Sequence, residues 1–311
     1  LPSSIHNRQS TIVNPQSSIH NRQSTLINRQ SSIHNRQSTI TNPQSKTTNR
    51  QEQMPDFTLS IYRQLIAALR NQNYTFQCFY DFVRNPAERV IILRHDVDRA
   101  PHNALAMAEL ENSMGLRASY YFRIVPSVFE EHIIRKIASL GHEIGYHYED
   151  ISLAARTNTN DDLLDVAIKN FRMNLERLRE LYPVKTVCMH GSPLSKYDNR
   201  MLWDRYNYRD FGIVAEPYFD LDFNEVLYLT DASRGWNNEK STIRDKVDSS
   251  FNIKPKSTFD IIELSKSEEL PNQIMINIHP HNWTGSQLEW IRIYVWQSMK
   301  NVIKMAMNNL K

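Results

Sequence analysis

The sequence predicts an α/β domain of alternating strands and helices, preceded by an arm that stays unfolded. Three observations predict it. From Met54 onward, short apolar runs of strand length alternate with longer stretches at helical spacing. Four of those runs end in, or lead into, residues rich in His and acid, and α/β folds gather their chemistry at the C-terminal ends of strands. The first fifty or so residues have too little apolar content to bury a core.

That arm is a tandem repeat. Ser3-Ser4-Ile5-His6-Asn7-Arg8-Gln9-Ser10-Thr11-Ile12 returns at Ser17 and at Ser31, a period of 14 residues. Asn, Gln, Ser and Arg throughout mark it as low complexity, and residues 1–53 are expected to be disordered. A solenoid is disfavoured, because the unit holds few aliphatics and no Gly turn. Translated tandem-repeat DNA ahead of a start at Met54 is a further reading of the same segment. Before Glu52 the arm carries Arg8, Arg22, Arg29, Arg36, Lys46 and Arg50 and no acid, so removing those six cations takes the formal charge from +3 to −3. The remainder, residues 54–311, is mildly acidic, and no nucleic acid is expected for it.

Within 54–311 the elements follow in order. Phe57 to Arg70 carries Ile61, Leu65 and Leu69 at helical spacing. Val90-Ile91-Ile92-Leu93 reads as a strand buried on both faces. Pro101 to Met114 is the helix after it, with Leu105, Ala108 and Leu110 available to face the strand. Ala118 to Phe122 is the second strand, Val128 to Leu140 a helix, and Glu143 to Tyr146 the third strand. Asp161 to Leu181 is a long amphipathic helix with Leu164, Ala167, Phe171, Leu175 and Leu178 on one face. Its Asn160-Asp161-Asp162 start suits an N-cap. Thr186 to Met189 is the next strand. Gln287 to Leu310 carries Trp290, Ile291, Val295, Met299, Val302 and Met305 at helical spacing and is expected to dock as a terminal helix.

The first buried run leads into Arg94-His95-Asp96-Val97-Asp98. Alternation puts Asp96 and Asp98 on one side and His95 on the other. Two carboxylates so placed repel unless a cation or a shared proton lies between them, which makes this a candidate metal and general-base site. Further on come Gly141-His142-Glu143-Ile144-Gly145-Tyr146-His147, then His190-Gly191-Ser192-Pro193, then Asn277-Ile278-His279-Pro280-His281. Outside the repeats the chain has eight His, and most fall in these segments, which suggests one shared mouth.

In order and spacing these motifs resemble the NodB-homology polysaccharide deacetylases, carbohydrate esterase family 4, and within them a divergent group carrying His-Asp-Val-Asp. The resemblance spans roughly residues 85 to 285, about one catalytic domain. It implies an irregular (β/α) barrel with its metal site at the strand ends. Asp96 matches the family's catalytic base, and His279 matches the His that serves as general acid. The family's next Asp, a metal ligand, is replaced by Val97, so Asp98 takes that role. His147 matches the first His of the second motif, but Ile151 stands where the second is expected. The replacement ligand is sought among His190, His281 and Glu149, with His190 carried forward. His142 precedes its strand and is read as structural.

The activity implied is metal-assisted hydrolysis that removes acetyl groups from an N- or O-acetylated sugar or polysaccharide, in building a surface polysaccharide. The cofactor expected is one divalent metal, zinc by its imidazole and carboxylate ligands, with cobalt, nickel, manganese or iron compatible. Ser192 and Pro193, at the start of a polar loop, and Asp231 and Trp236, after another apolar run, are candidate substrate contacts. A Trp beside Arg234 and Asp231 could stack on a sugar ring or be half-buried packing. Two other classes stay open: a glycan-binding pseudoenzyme that has lost its metal, and a hydrolase of non-sugar C–N bonds.

Composition sets the remaining bounds. Cys78 and Cys188 have no disulfide or zinc spacing. No apolar run has the length of a membrane span. No charged segment followed by an apolar one marks secretion, so the cytoplasm is the expected location.

Overall fold

The computed structural model describes residues 55–157, 161–192, 195–232, 234–237 and 247–309, with side chains to 300. The repeats and Pro193 lie outside the described residues. Seven parallel strands form one sheet: β1 (Thr75–Gln77), β2 (Val90–Val97), β3 (Ser119–Phe122), β4 (Glu143–Tyr148), β5 (Val187–Met189), β6 (Leu227–Thr230) and β7 (Gln273–Ile278). Their order is β5-β4-β3-β2-β7-β6, with β1 pairing beside the first half of β2. The sheet curls into a half-barrel, and the α/β expectation holds.

Strand β2 organises the rest. All eight of its residues are buried, and it pairs with β1, β3 and β7. Its side chains alternate between two apolar clusters. Ile91, Leu93 and Val97 join the larger one, which the surrounding helices cover. Val90 and Ile92 join the smaller, inner one with Tyr121, Met275 and, from helix residues Phe79–Arg84, Phe79 and Phe82. Continuing along the inner face, β2 presents Arg94 and then Asp96. Apolar residues thus plug one end of the half-barrel, and ionisable ones occupy the other.

Tight packing explains the Gly-His-Glu-Ile-Gly motif. A Cβ on Gly145 would lie 2.3 Å from the Tyr121 ring, so only Gly lets that ring cross β4. Tyr121 Oη then bonds Thr186 Oγ1 at 2.9 Å. Glu143 is buried on the same side, where it accepts from Ser119 Oγ at 2.6 Å, from Thr186 Oγ1 and from the Tyr80 N–H. His142 Nε2 donates to Ala108 O at 3.0 Å and Nδ1 accepts the Ala118 N–H, a structural role.

The helices are α1 (Leu59–Asn71), α2 (Phe79–Arg84), α3 (Pro101–Ser113), α4 (Glu131–Ser139), α5 (Asp150–Ala154), α6 (Leu163–Arg179), α7 (Pro217–Asp220), α8 (Thr258–Lys266) and α9 (Gln287–Asn309). The α6 face follows its pattern: Ala167, Phe171, Leu175 and Leu178 are buried, and Asp162 caps the helix by accepting from the Leu164 and Asp165 N–H groups. Three expectations need correction. Helix α3 fully buries Ala104, Met107, Ala108 and Glu111, which meets His95 at 2.7 Å, while Leu105 and Leu110 pack against the core only half-buried. Helix α4 begins three residues later than the apolar pattern suggested, since Val128 N already bonds Val125 O in a turn. Of the stripe expected to dock α9, Ile291, Val295 and Met299 are each more than half exposed, at 54%, 51% and 54%, and Val302 and Met305 lie outside the described side chains. Trp290 fastens the helix instead, donating from Nε1 to Asp56 O at 2.6 Å. No described helix is long and apolar enough to cross a membrane.

Candidate metal centre

Parallel pairing brings the C-terminal ends of β2, β4, β5 and β7 to one rim. There Asp98, His147 and His190 converge. His147 Nε2 is 3.3 Å and His190 Nε2 3.5 Å from Asp98 Oδ1. Each ring is held from behind. His147 Nδ1 is 3.0 Å from Cys188 O, and a carbonyl only accepts, so Nδ1 carries the proton and Nε2 is left with its lone pair. His190 Nδ1 is 3.0 Å from both Glu149 Oε2 and Ser192 Oγ, which fixes its Nε2 in the same way.

These three residues fit a divalent metal. Asp98 Oδ1 is buried and has no hydrogen-bond partner, although it faces two imidazoles. Tetrahedral zinc with bonds of about 2.0–2.2 Å spaces its ligand atoms roughly 3.3–3.6 Å apart, and both imidazole nitrogens stand at that spacing from Asp98 Oδ1. A second grouping, Asp96, His147 and Cys188, would share His147, and both Asp96 oxygens already accept from Arg94. The first grouping is therefore the better cation site. Burial works against ionising Asp98, but the surrounding imidazoles, His190 first, hold its carboxyl well below the usual range.

Asp96 sits one alternation back on β2. Arg94 grips it bidentately, Nε to Oδ1 at 2.9 Å and Nη2 to Oδ2 at 2.6 Å. Asn277 on β7 adds a bond to Oδ2 at 3.1 Å, and His147 Nε2 lies 3.7 Å from that oxygen. Burial alone would raise the Asp96 pKa, yet Arg94 and then His147 outweigh it and bring it to about 2. Asp96 is thus a fixed anion. Arg94 was not anticipated as a site residue, although its position two before Asp96 puts both on one face of a strand.

On the other flank, His279 follows β7 and Asp231 follows β6. Asp231 Oδ1 accepts from His279 Nδ1 at 2.7 Å, and Trp283 Nε1 donates to Asp231 Oδ2 at 2.6 Å. His279 Nε2 points back toward Asp98 Oδ2 at 4.0 Å. Burial disfavours the imidazolium, but Asp231 overrides it, and the His279 pKa is pushed up to about 10.

A supporting layer closes the back of the site. Arg123 donates to Glu149 Oε1 at 2.6 Å and to Asp98 O at 3.0 Å. Against burial, His190 and Arg123 lower Glu149 to about 2. Ser192, at φ 38°, bonds Glu149 and takes Asn199 Nδ2 at 3.2 Å, so its hydroxyl is spent on holding His190. Asp231 is fully buried against His279. Trp236 is 3% exposed, with Nε1 on Thr258 Oγ1 at 2.9 Å, which makes it core packing. Glu149 and His281 stand behind and beside the triad. Ile151 is buried in α5.

No protein-family model and no curated protein matches the chain. Solved structures similar to it include a family 4 carbohydrate esterase pseudoenzyme from Bacillus anthracis, at 13% identity and TM-score 0.35 over 70% of this chain. A family 4 carbohydrate esterase from the same organism is similar at 12% identity and TM-score 0.33, over 75% of this chain and 83% of that one. The peptidoglycan deacetylase of Bacillus subtilis is similar at 12% identity and TM-score 0.33, over 71% of this chain and 98% of that one. The chain spans 63% of the length of the first of these.

Proposed function

We propose that the chain is a metal-dependent hydrolase that removes acetyl groups from an N- or O-acetylated sugar or polysaccharide. The observation that carries this is the convergence of Asp98, His147 and His190 between a fixed carboxylate, Asp96, and an Asp231-held imidazolium, His279.

Asp98, His147 and His190 are the residues that would hold the ion. A divalent metal there supplies Lewis acidity toward water and an acyl carbonyl. Asp96, ionised at all working pH values, accepts the proton of the attacking water. Arg94 and Asn277 leave its carboxylate no freedom to turn away. His279 donates from Nε2 to the departing amine or alkoxide, and Asp231 stabilises the charged ring until it does so. His190 replaces the ligand that Ile151 cannot be.

Ile151 also favours a second reading, a glycan-binding pseudoenzyme, should His190 fail to complete the site. One experiment separates the two. The full chain, purified without chelator or affinity tag, is analysed for metal and assayed for acetate release from acetylated oligosaccharides, beside His147→Ala and Asp96→Asn. The hydrolase reading expects about one zinc or similar ion per chain, lost in His147→Ala. Asp96→Asn should keep the metal and lose turnover. A wild type that takes up no zinc on reconstitution and releases no acetate overturns it.

A further inference from the structure

Beside the rim, between the loop after β2, the turn after β7 and the exposed start of α9, lies a cavity of about 390 Å³. That volume falls within the range of small-ligand pockets, about 300–1,000 Å³. Its walls include Arg99, Asn103, His281, Arg292, Trp296 and Lys300. Arg99 directly follows Asp98, and the His281 ring centroid is 5.7 Å from that of His279, so the cavity adjoins the candidate reaction site.

Its chemistry is specific. Two guanidinium groups, Arg99 and Arg292, line it beside a single carboxylate, Glu289. Glu289 is drawn elsewhere: it accepts from Thr284 Oγ1 at 2.6 Å and Asn103 Nδ2 at 3.5 Å, and stands 4.0 Å from Arg292. Arg99 Nη2 meets His281 Nε2 at 3.0 Å, which requires a neutral, accepting imidazole and leaves the guanidinium charge uncancelled by that partner. Trp296 is 58% exposed, with Lys300 Nζ 5.8 Å from its ring. An exposed indole offers a flat apolar platform for a sugar ring, and guanidinium forks suit carboxylate or phosphate oxygens.

We infer that this cavity is a subsite for an anionic sugar residue, one bearing a carboxylate or phosphate, next to the acetylated sugar in the chain. The assignment rests on the deacetylase reading for its neighbour and narrows the substrate to an acidic acetylated glycan. Neutral acetylated chains would meet the Trp296 platform but offer the two guanidinium groups no anion.

The test compares binding of two probes to the full chain by calorimetry: a hyaluronan tetrasaccharide, which alternates uronate with N-acetylglucosamine, and neutral chitotetraose. The tetrasaccharide with uronates should bind at least about tenfold tighter at low salt, and the margin should shrink as salt rises. Arg99→Gln/Arg292→Gln should abolish the margin without weakening chitotetraose, and Trp296→Ala should weaken both. These side chains are exposed, and unchanged thermal melting would show that the variants fold. No margin with either the uronate or a phosphorylated acetylated oligosaccharide, or a margin that survives the double substitution, overturns the subsite. A phosphorylated acetylated oligosaccharide that shows the margin when the uronate does not assigns the anion as phosphate. Binding with the expected margin but no acetate release would keep the cavity and refute the hydrolase. Acetate release with no margin would do the reverse.

Discussion

Asp231 Oδ1 takes both the Nδ1 proton of His279, at 2.7 Å, and the His279 backbone N–H, at 2.8 Å. One oxygen thus sets the ring's tautomer and the place of its Cα together. The other oxygen is held by the Trp283 indole, so the carboxylate cannot rotate. His279 therefore enters the site already oriented, with Nε2 toward the candidate metal ligands.

If that orientation matters to proton donation, Asp231→Asn should lower kcat about 100-fold, within the range for a general acid, and leave KM nearly unchanged. Steady-state acetate release measures both. A KM rise with kcat intact would instead mean that Asp231 contacts substrate.

The back of the triad makes a second prediction. Glu149 fixes His190 through Nδ1, and such partners typically contribute 10–100-fold to metal affinity. Glu149→Gln should weaken zinc binding by about that factor while His190→Ala weakens it further. Competition with a zinc chelator reads the two constants. Equal affinity in wild type and Glu149→Gln would place the third ligand elsewhere.

How far the sequence reached follows from what each pattern encodes. Strand ends are legible because β-branched runs such as Val90–Leu93 stop where polar residues begin, and parallel pairing then brings those ends together. Asp96, Asp98, His147, His190 and His279 could be named for that reason. Trp236 and Arg94 show the limit. A Trp next to Arg and Asp has the same local pattern whether it faces solvent or, as here, Thr258 in the core. Arg94 is legible only once one knows which face of β2 is the inner one, since a buried Arg is otherwise improbable. Helix α9 has the stripe of a docked helix, but a stripe records apolar spacing and not what covers it.

Arg94 and Asp96 are both essentially buried, so neither charge is tolerable alone. Arg94→Met should destabilise the fold by about 3–5 kcal/mol, because it strands a buried carboxylate. The double variant Arg94→Met/Asp96→Asn should recover much of that loss, since neither position then holds an unpaired charge. Urea unfolding of both variants checks the pair. Additive losses would show that the two residues are stabilised independently.

Asp150, at the start of α5, is a buried carboxylate with no cation among its described hydrogen-bond partners. Burial pushes its pKa up to about 7, although Tyr146 Oη and Asn174 Nδ2 donate to it at 2.8–2.9 Å and favour the anion. The folded state therefore binds a proton more tightly than the unfolded chain, whose Asp titrates near about 3.9. The stabilisation is complete below that value and is lost as pH rises through about 7. Between pH 5 and pH 8 the wild type should lose on the order of 3 kcal/mol from this group. Asp150→Asn keeps an acceptor for Asn174 and supplies a donor to Tyr146 Oη, so it mimics the protonated acid and should flatten that part of the curve. Urea unfolding at pH 5 and pH 8 compares the two proteins. If both lose the same stability across that interval, Asp150 is ionised throughout, and the pH dependence originates in another group.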